Sequence, residues 1–203
     1  MEQSNLIQRI VDLGERAFLI ILAIPFLWAF AKALPTHPTV ILLAASEMLG
    51  VILIVIRRSA PLRIGAVPVL TAFCGTALPL LVRPGGVQLV PIIVGSGFMA
   101  VGLALCVVSK LYLNRSFGLI AANRGVKSGG PYRVVRHPMY LGYIVNQLGF
   151  LSLNLSPANL LIYLIAWSCQ LVRVAEEEAV LRQDEAYRQF TQRVRSRLIP
   201  GLY

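Results

Sequence analysis

The chain has 203 residues, of which 57% are hydrophobic, and its mean hydropathy is +0.71. A water-soluble domain of this length needs a polar shell, so the composition excludes that class and indicates an integral membrane protein. The net charge of +10 would suit a nucleic-acid-binding protein, but the basic residues lie between apolar runs, where they act as a membrane topology signal.

Six apolar runs predict an all-α fold, a polytopic transmembrane helical bundle with about five or six membrane helices. The runs are Ala17–Leu34, Val40–Ile56, Val67–Val82, Leu89–Val108, Tyr140–Leu155 and Pro157–Val172. At about 1.5 Å per residue, each run comes close to crossing a hydrocarbon layer of about 30 Å. Residues Pro35 to Pro38 cannot continue a helix, which predicts an antiparallel hairpin of the first two runs. Ser156 and Pro157 are suited to begin the last helix, as its N-cap and its first helical residue.

The basic residues are concentrated before the first run, after the second, after the fourth and in the C-terminal segment. Lys32 and Arg83 are the two that fall in the other connections. The positive-inside rule therefore predicts that the N-terminus and the C-terminal region lie in the cytoplasm. Residues 109–136 form a connection that is long for a bundle loop, with six basic residues and no acidic one, which makes it a candidate functional segment.

The segment from Gly129 to Gly142 reads GGPYRVVRHPMYLG. It resembles the G-P-Y-x-x-x-R-H-P-x-Y-x-G signature of the isoprenylcysteine carboxyl methyltransferase family, whose S-adenosylmethionine site is shared with phospholipid N-methyltransferases. Downstream, the pair Glu177 and Glu178, then Tyr187, and finally Ile199-Pro200 follow the ending typical of that family. The resemblance extends from Leu113 to the end of the chain, whereas the first four runs are similar only as hydrophobic spans.

The resemblance implies an S-adenosylmethionine-dependent methyltransferase that modifies a lipophilic or prenylated acceptor, with a carboxylate favoured, at the cytoplasmic membrane face. Its partners would be that acceptor and membrane lipid, with no nucleic acid. Two regions are expected: N-terminal transmembrane helices over residues 1–108, facing lipid or substrate, and a cofactor-binding region over residues 109–203. The helices Met139–Leu153 and Pro157–Glu178 would wrap the cofactor in a cytoplasmic pocket, with Tyr140 and Tyr143 available for packing.

The cofactor-binding candidates come from the two matching motifs and are Tyr132, Arg136, His137, Pro138, Tyr140, Gly142, Glu177 and Glu178. Read without the family, prolines fix the backbone and glycines allow its close approach, while Arg136 and His137 stand where a helix begins near Pro138. Free N–H groups at a helix start favour an anion. The alternative is a proline-ordered loop whose arginines contact lipid phosphates.

The catalytic candidates are Arg173, Glu177 and Glu47. Arg173 matches an arginine that precedes the acid pair in the family and is suited to a substrate carboxylate; otherwise it is a boundary arginine reaching toward the membrane surface. The glutamates at 176–178 could instead be a solvated face paired with Arg173 and Arg182. Glu47 is the one acidic residue inside an apolar run, so it lines a substrate cavity or is a hydrogen-bonded structural residue.

Three further classes of function stay open. An N-methyltransferase acting on phospholipid or another amine is the nearest, and a nicotinamide-dependent membrane reductase and a non-catalytic transporter or scaffold are more distant. The segment Gly95–Ala100 fits a dinucleotide-binding G-x-G-x-x-A pattern, but it lies inside an apolar run with no acidic partner downstream, which favours helix packing. The three cysteines are interpreted as packed apolar residues, and no metal site is predicted.

Overall fold

The computed structural model describes residues 2–36, 40–58, 60–63 and 65–202 of the chain. Some side chains inside helices also lie outside the described set, and that of Glu47 is one of them. The predicted turn after the first run is described as far as Thr36, whereas His37 and Pro38 lie outside the described residues.

The secondary-structure elements of the described residues are all helices, which confirms the predicted all-α class. The α-helices are α1 (Glu2–Ala33), α2 (Val40–Ile56), α3 (Ala66–Ala77), α4 (Ile92–Leu113), α5 (Pro138–Leu153), α6 (Pro157–Leu181) and α7 (Glu185–Arg193). Short 3-10 turns cover Leu78–Leu81, Asn114–Ser116 and Gly130–Arg133. As predicted, α6 begins at Pro157, and the Ser156 hydroxyl caps it by accepting from the Asn159 amide at 3.1 Å.

Two of the described helical segments are long and apolar enough to cross a bilayer, Ile92–Ser116 and Pro157–Leu181. Large apolar side chains such as Ile93, Phe98 and Leu161 are exposed on these helices, as expected of surfaces that contact lipid. Together with the composition, these segments indicate a membrane protein. The larger number of five or six spans remains a prediction.

The helix ends differ from the apolar runs in three places, each for a local reason. Helix α1 begins at Glu2 rather than Ala17, because an ion pair between Asp12 and Arg16, four residues apart at 3.0 Å, suits a helix outside the apolar stretch. The third run changes to a 3-10 turn at Leu78–Leu81, which contains Pro79. Helix α4 is shifted toward the C-terminus because Pro91 precedes its first residue.

Helices α4 and α5 pack antiparallel through a seam of glycines. A Cβ atom placed on Gly102 would lie 2.3 Å from the Asn146 amide nitrogen, and one on Gly142 would lie 2.7 Å from Cys106 Sγ. Only a hydrogen atom fits at these positions, so the two backbones are in direct contact. Gly95 belongs to the same seam, against Leu153, which agrees with the packing interpretation at that residue, whereas Gly97 of the same motif has open space around it.

Connections between helices that are predicted to lie on the same side of the membrane contact one another at the same end of the bundle. At one end of the bundle, Val87 forms an isolated β-bridge with Leu155, and the Asn159 amide donates to the Arg83 carbonyl at 2.9 Å. At the opposite end, the connection after α2 contacts the connection after α4, with the Arg63 amide donating to the Ala121 carbonyl at 2.9 Å. The signature segment and the C-terminal tail also meet at that second end, and their contacts form the candidate site.

Candidate active site

The signature segment is held against the C-terminal tail by backbone hydrogen bonds. The amides of Arg136 and His137 donate to the carbonyls of Ser196 and Arg197, at 3.0 and 2.9 Å. His137 is the residue before α5, and Pro138 takes the first helical position, where its missing N–H is not needed. The tail therefore covers the start of α5, and it supplies the hydrogen-bond acceptors for two amides that an anion could otherwise have bound.

Glu178 is a buried ionic hub that joins three parts of the chain. Its carboxylate accepts from the guanidinium of Arg136 at 2.9 Å, from Arg182 at 3.0 Å and from Arg197 at 3.2 Å. The Nε2 atom of His137 lies 3.4 Å from Oε1 of the same carboxylate. With its side chain 3% exposed, Glu178 fixes the signature, the end of α6 and the tail relative to one another.

Glu177, one residue earlier, contacts a different set of residues. Its Oε1 atom accepts a hydrogen bond from the hydroxyl of Tyr140, and its Oε2 atom lies 3.8 Å from Nδ1 of His137. The adjacent Glu176 pairs at the surface with Arg63 at 2.7 Å. Three consecutive acidic residues of α6 thus have three different environments, and only Glu177 among them lines the cavity described next.

A cavity of about 750 Å³, including the solvent at its mouth, opens beside the signature segment. Its walls come from the connection after α4, from the signature and start of α5, from the end of α6 and from α7. The lining includes Phe117, Arg124, Lys127, Tyr132, Arg136, His137, Tyr140, Glu177, Tyr187 and Phe190. The mixture of aromatic, cationic and one acidic side chain is typical of cofactor pockets.

Two polar groups of this cavity are affected by burial. Arg124 donates through Nε to the Arg58 carbonyl at 3.1 Å, whereas its buried Nη2 has no hydrogen-bond partner among the described residues. Burial, and next the positive charge of Arg57, lower the pKa of Arg124 to about 10. Burial also raises the pKa of Tyr132, with a further contribution from Glu177. At neutral pH the cavity therefore has a cationic guanidinium with hydrogen-bonding capacity to spare and a neutral phenol.

A second, more apolar cavity of about 510 Å³, again including open solvent, lies next to the first. Val51, Ile54, Pro79 and Leu80 supply part of its apolar wall. Its polar lining consists of Thr76, Gln147, Gln170 and Arg173, together with Tyr143.

Phe117 and Met139 line both cavities. At these two residues the cavities are therefore separated by single side chains. The guanidinium of Arg173 lies 5.4 Å from the ring centroid of Tyr140, and Tyr140 in turn lines the first cavity.

Arg173 is a buried residue of the second cavity. It donates to the Leu119 carbonyl at 3.1 Å and to the Thr76 hydroxyl at 3.3 Å, while its Nε has no partner in the described part of the chain. At 6% exposure it does not reach out to the membrane surface, which argues against the alternative of a boundary arginine. Among the described residues, Arg173 forms no ion pair with the glutamates of α6; of the two expected pairs, the one between Arg182 and Glu178 is present.

The structure thus gathers most of the sequence-predicted residues at one place but gives them unequal positions. Tyr132, Arg136, His137, Tyr140 and Glu177 line the first cavity. Glu178 and Pro138 stand behind these residues, as the ionic hub and as the first residue of α5. Gly142 lies in the seam with α4, where it packs on Cys106. Arg173 lines the neighbouring cavity, and the side chain of Glu47 lies outside the described set.

Sequence reasoning missed the contribution of the connection after α4 and of α7. Arg124 and Lys127 stood out only as members of a basic stretch, and Phe190 gave no signal at all. Tyr187 belongs to the ending typical of the family, and it is buried in the lining of the cavity. That match was the one signal from which its place could have been found.

Residues 97–183 match the family model of the isoprenylcysteine carboxyl methyltransferase (ICMT) family. The matched range contains the signature segment, α5 and α6, so this part of the chain is similar to the methyltransferase family that the resemblance indicated. No curated protein matches the chain.

Proposed function

We propose that the protein is an S-adenosylmethionine-dependent methyltransferase that modifies a lipophilic acceptor, with a carboxylate as the group that receives the methyl. The observation that carries this proposal is the pair of adjoining cavities, one with several charged side chains in its lining and one lined mostly by apolar and neutral side chains, with Phe117 and Met139 in the lining of both. Methyl transfer needs two reactants held end to end with water excluded, and two adjoining cavities are suited to that task.

The first cavity has the chemical groups that the cofactor requires. Arg124, with its unpartnered Nη2, and Lys127 can bind a carboxylate. Glu177 can accept hydrogen bonds from ribose hydroxyls, and the rings of Tyr132 and Phe190 offer an apolar surface for a purine. When bound, S-adenosylmethionine supplies an electrophilic methyl group on its sulfonium. The protein's part is to orient the cofactor and exclude water from its methyl.

The second cavity favours an acidic acceptor. Arg173 and Gln147 both offer donors there, since Nε of Arg173 and Nε2 of Gln147 have no partner among the described groups. The Trp167 indole donates to Gln147 Oε1 at 2.7 Å, and because an indole nitrogen can only donate, this contact directs the NH₂ group of Gln147 elsewhere. A carboxylate would satisfy these donors, whereas a protonated amine would be repelled by Arg173.

The cytoplasmic face is the proposed position of the site. The signature, the basic connection after α4 and the tail meet at one end of the bundle, and the positive-inside rule assigns that end to the cytoplasm. The cofactor would then enter from the aqueous side, and an acceptor with an apolar tail would enter from the bilayer through the uncharged helices. The region formed by residues 1–108 contributes to the second cavity through α2 and α3.

Calorimetry in detergent with S-adenosylhomocysteine and, separately, with NADPH tests the cofactor. We expect heat with S-adenosylhomocysteine and none with NADPH. Heat with NADPH alone would instead establish the reductase alternative, and heat with neither would leave a transporter or scaffold. Incubation with native lipid extract and methyl-labelled cofactor, followed by identification of the labelled product, then tests the acceptor, and a labelled amine would contradict the carboxylate.

Two substitutions test the site itself. His137→Ala and Glu177→Ala should each weaken S-adenosylhomocysteine binding, by about tenfold if each removes one or two buried polar contacts. Glu176→Ala is the matched control, because it removes an adjacent carboxylate of α6 that pairs with Arg63 outside the cavity. Unchanged affinity in both site variants would remove the proposed site.

A further inference from the structure

Glu15 of α1 is a fully buried carboxylate that lies outside the range matched by the family. Its side chain is 0% exposed, and both of its oxygens accept from the guanidinium of Arg57. The same Oε1 atom also accepts from the backbone amide of Leu119 at 3.1 Å. A charge buried this deeply is retained only with such partners, and one of the partners here is the backbone of the connection after α4.

Leu119 is bonded on both sides of its backbone. Its amide donates to Glu15, and its carbonyl accepts from the guanidinium of Arg173 at 3.1 Å. Its neighbours Gly118 and Ile120 line the first cavity, whereas Leu119 lines the second. One residue of backbone therefore connects the carboxylate of α1 with the arginine of α6 and runs along the wall between the two cavities.

The connection after α2 completes the support of this wall. The Arg58 amide donates to the Arg115 carbonyl at 2.9 Å, and the Arg63 amide donates to the Ala121 carbonyl at the same distance. These two bonds hold the stretch 115–121 at its ends. Leu119 lies between them, where the bond to the Glu15 carboxylate fixes the middle of the stretch.

We propose that Glu15 is a positioning residue for the active site, which acts by holding Leu119 and, through it, Arg173 and the wall of the cofactor cavity. This inference rests on the proposed function in that the cavity is taken to bind S-adenosylmethionine. It assigns the N-terminal helix a part in organising a site whose ligand-binding groups come from the C-terminal half. The two hydrogen bonds from Arg57 hold the carboxylate in the orientation in which it accepts from Leu119.

Two conservative variants separate this role from that of a structural ion pair. Glu15→Asp keeps the charge that faces Arg57 but shortens the side chain, so that it no longer reaches the Leu119 amide. Glu15→Gln keeps the length and an oxygen that can accept from Leu119 but removes the charge. A positioning role predicts that Gln preserves the site better than Asp does, and a purely structural ion pair predicts the reverse.

The measurements are S-adenosylhomocysteine affinity in detergent and hydrogen exchange of the peptide that covers residues 115–121. We expect Glu15→Ala and Glu15→Asp to weaken binding about tenfold and to speed exchange of Leu119 by a similar factor, the effect of one lost hydrogen bond to a charged group. Glu15→Gln should stay within about threefold of the unchanged protein. The control is Asp12→Asn, which also removes a carboxylate from Arg57 but has no bond to Leu119, and it should alter neither measurement more than about twofold.

Affinity that falls further in Glu15→Gln than in Glu15→Asp would overturn the proposal, as would an Asp12→Asn variant that behaves like Glu15→Ala. If the unchanged protein binds no S-adenosylhomocysteine, the proposed function fails instead. In that case the exchange measurement still tests whether Glu15 holds Leu119 in place. Equal exchange at Leu119 in all variants would show that it does not.

Discussion

Tyr140 donates its hydroxyl hydrogen to Glu177, so the first turn of α5 is bonded to the end of α6 at the edge of the cofactor cavity. Tyr140 is 1% exposed, and the bond joins the two halves of the family signature in space. Glu177 is held in one orientation by a residue 37 positions earlier in the chain, and its availability to a ligand depends on that contact.

Tyr140→Phe removes this donor while keeping the ring that packs under Arg173. We expect S-adenosylhomocysteine affinity to fall about tenfold, because Glu177 loses a hydrogen bond that orients it, with little change in thermal stability. Titration calorimetry measures the effect. Tyr143→Phe, on the same helix but in the lining of the second cavity, should leave this affinity within about twofold, and an equal loss in both variants would contradict the specific role of Tyr140.

Glu178→Gln should lower stability markedly. Arg136 and Arg197 would lose their common carboxylate, and breaking a buried ionic cluster on one side costs about 3 kcal/mol. The loss of stability is measured by unfolding the protein with a denaturing detergent at increasing concentration. Glu185→Gln removes an exposed partner of Arg188 and should not shift the midpoint; a similar shift in both variants would mean that burial of Glu178 contributes nothing.

Gly102→Ala should strongly destabilise the pair α4 and α5. The new methyl group would meet the backbone of Asn146 at 2.3 Å, and such overpacking costs about 2 kcal/mol or more because a backbone cannot move aside as a side chain does. Gly97→Ala on the same helix has open space around the new methyl and should be neutral or slightly stabilising, since alanine favours a helix. Thermal unfolding of the two variants makes the comparison.

Gln170→Leu should raise the stability of the protein and lower its activity. The Oε1 atom of Gln170 is buried without a partner in the described part of the structure, so an apolar side chain of similar size should raise the free energy of unfolding by about 1 kcal/mol. Methyl transfer to the native acceptor should nevertheless fall, because a polar group of the second cavity is lost.

The matched control for this substitution is Asn159→Leu, also on α6. The Asn159 amide is fully used, donating to the carbonyls of Arg83 and Asn154 at 2.9 and 2.8 Å. Its loss should lower stability by about 2 kcal/mol without a specific effect on the acceptor. If Gln170→Leu destabilises the protein as much as Asn159→Leu does, the glutamine has a structural partner rather than a ligand-binding role.

Much of the helical framework could be predicted from the sequence, because its boundaries have local causes. Pro157 and Ser156 set the start of α6, and Pro138 sets that of α5. The apolar run that begins at Leu89 starts three residues before the helix itself, which begins at Ile92. Hydrophobic composition alone does not distinguish the extended residues before a helix from its first turn. Helix α1 was too short in the prediction because charged residues such as Asp12 end an apolar run without ending a helix.

The site was predictable only as a set of residues and not as an arrangement. A motif shows that His137 and Glu177 are used together, but it does not show that Glu178 would be turned away toward Arg136 and Arg197. That division depends on the rotation of α6 by about 100° per residue and on where the tail lies. The bond between Glu15 and Leu119 spans 104 positions, and no local pattern in the sequence indicates it.

The glycine seam has a consequence for how the molecule can open. Helices that touch through side chains can slide by changing rotamers, but α4 and α5 touch backbone to backbone near Gly102 and Gly142. We therefore expect these two helices to move together. A gate through which a bulky hydrophobic molecule passes is then expected elsewhere, on the side where α2 and α3 border the second cavity.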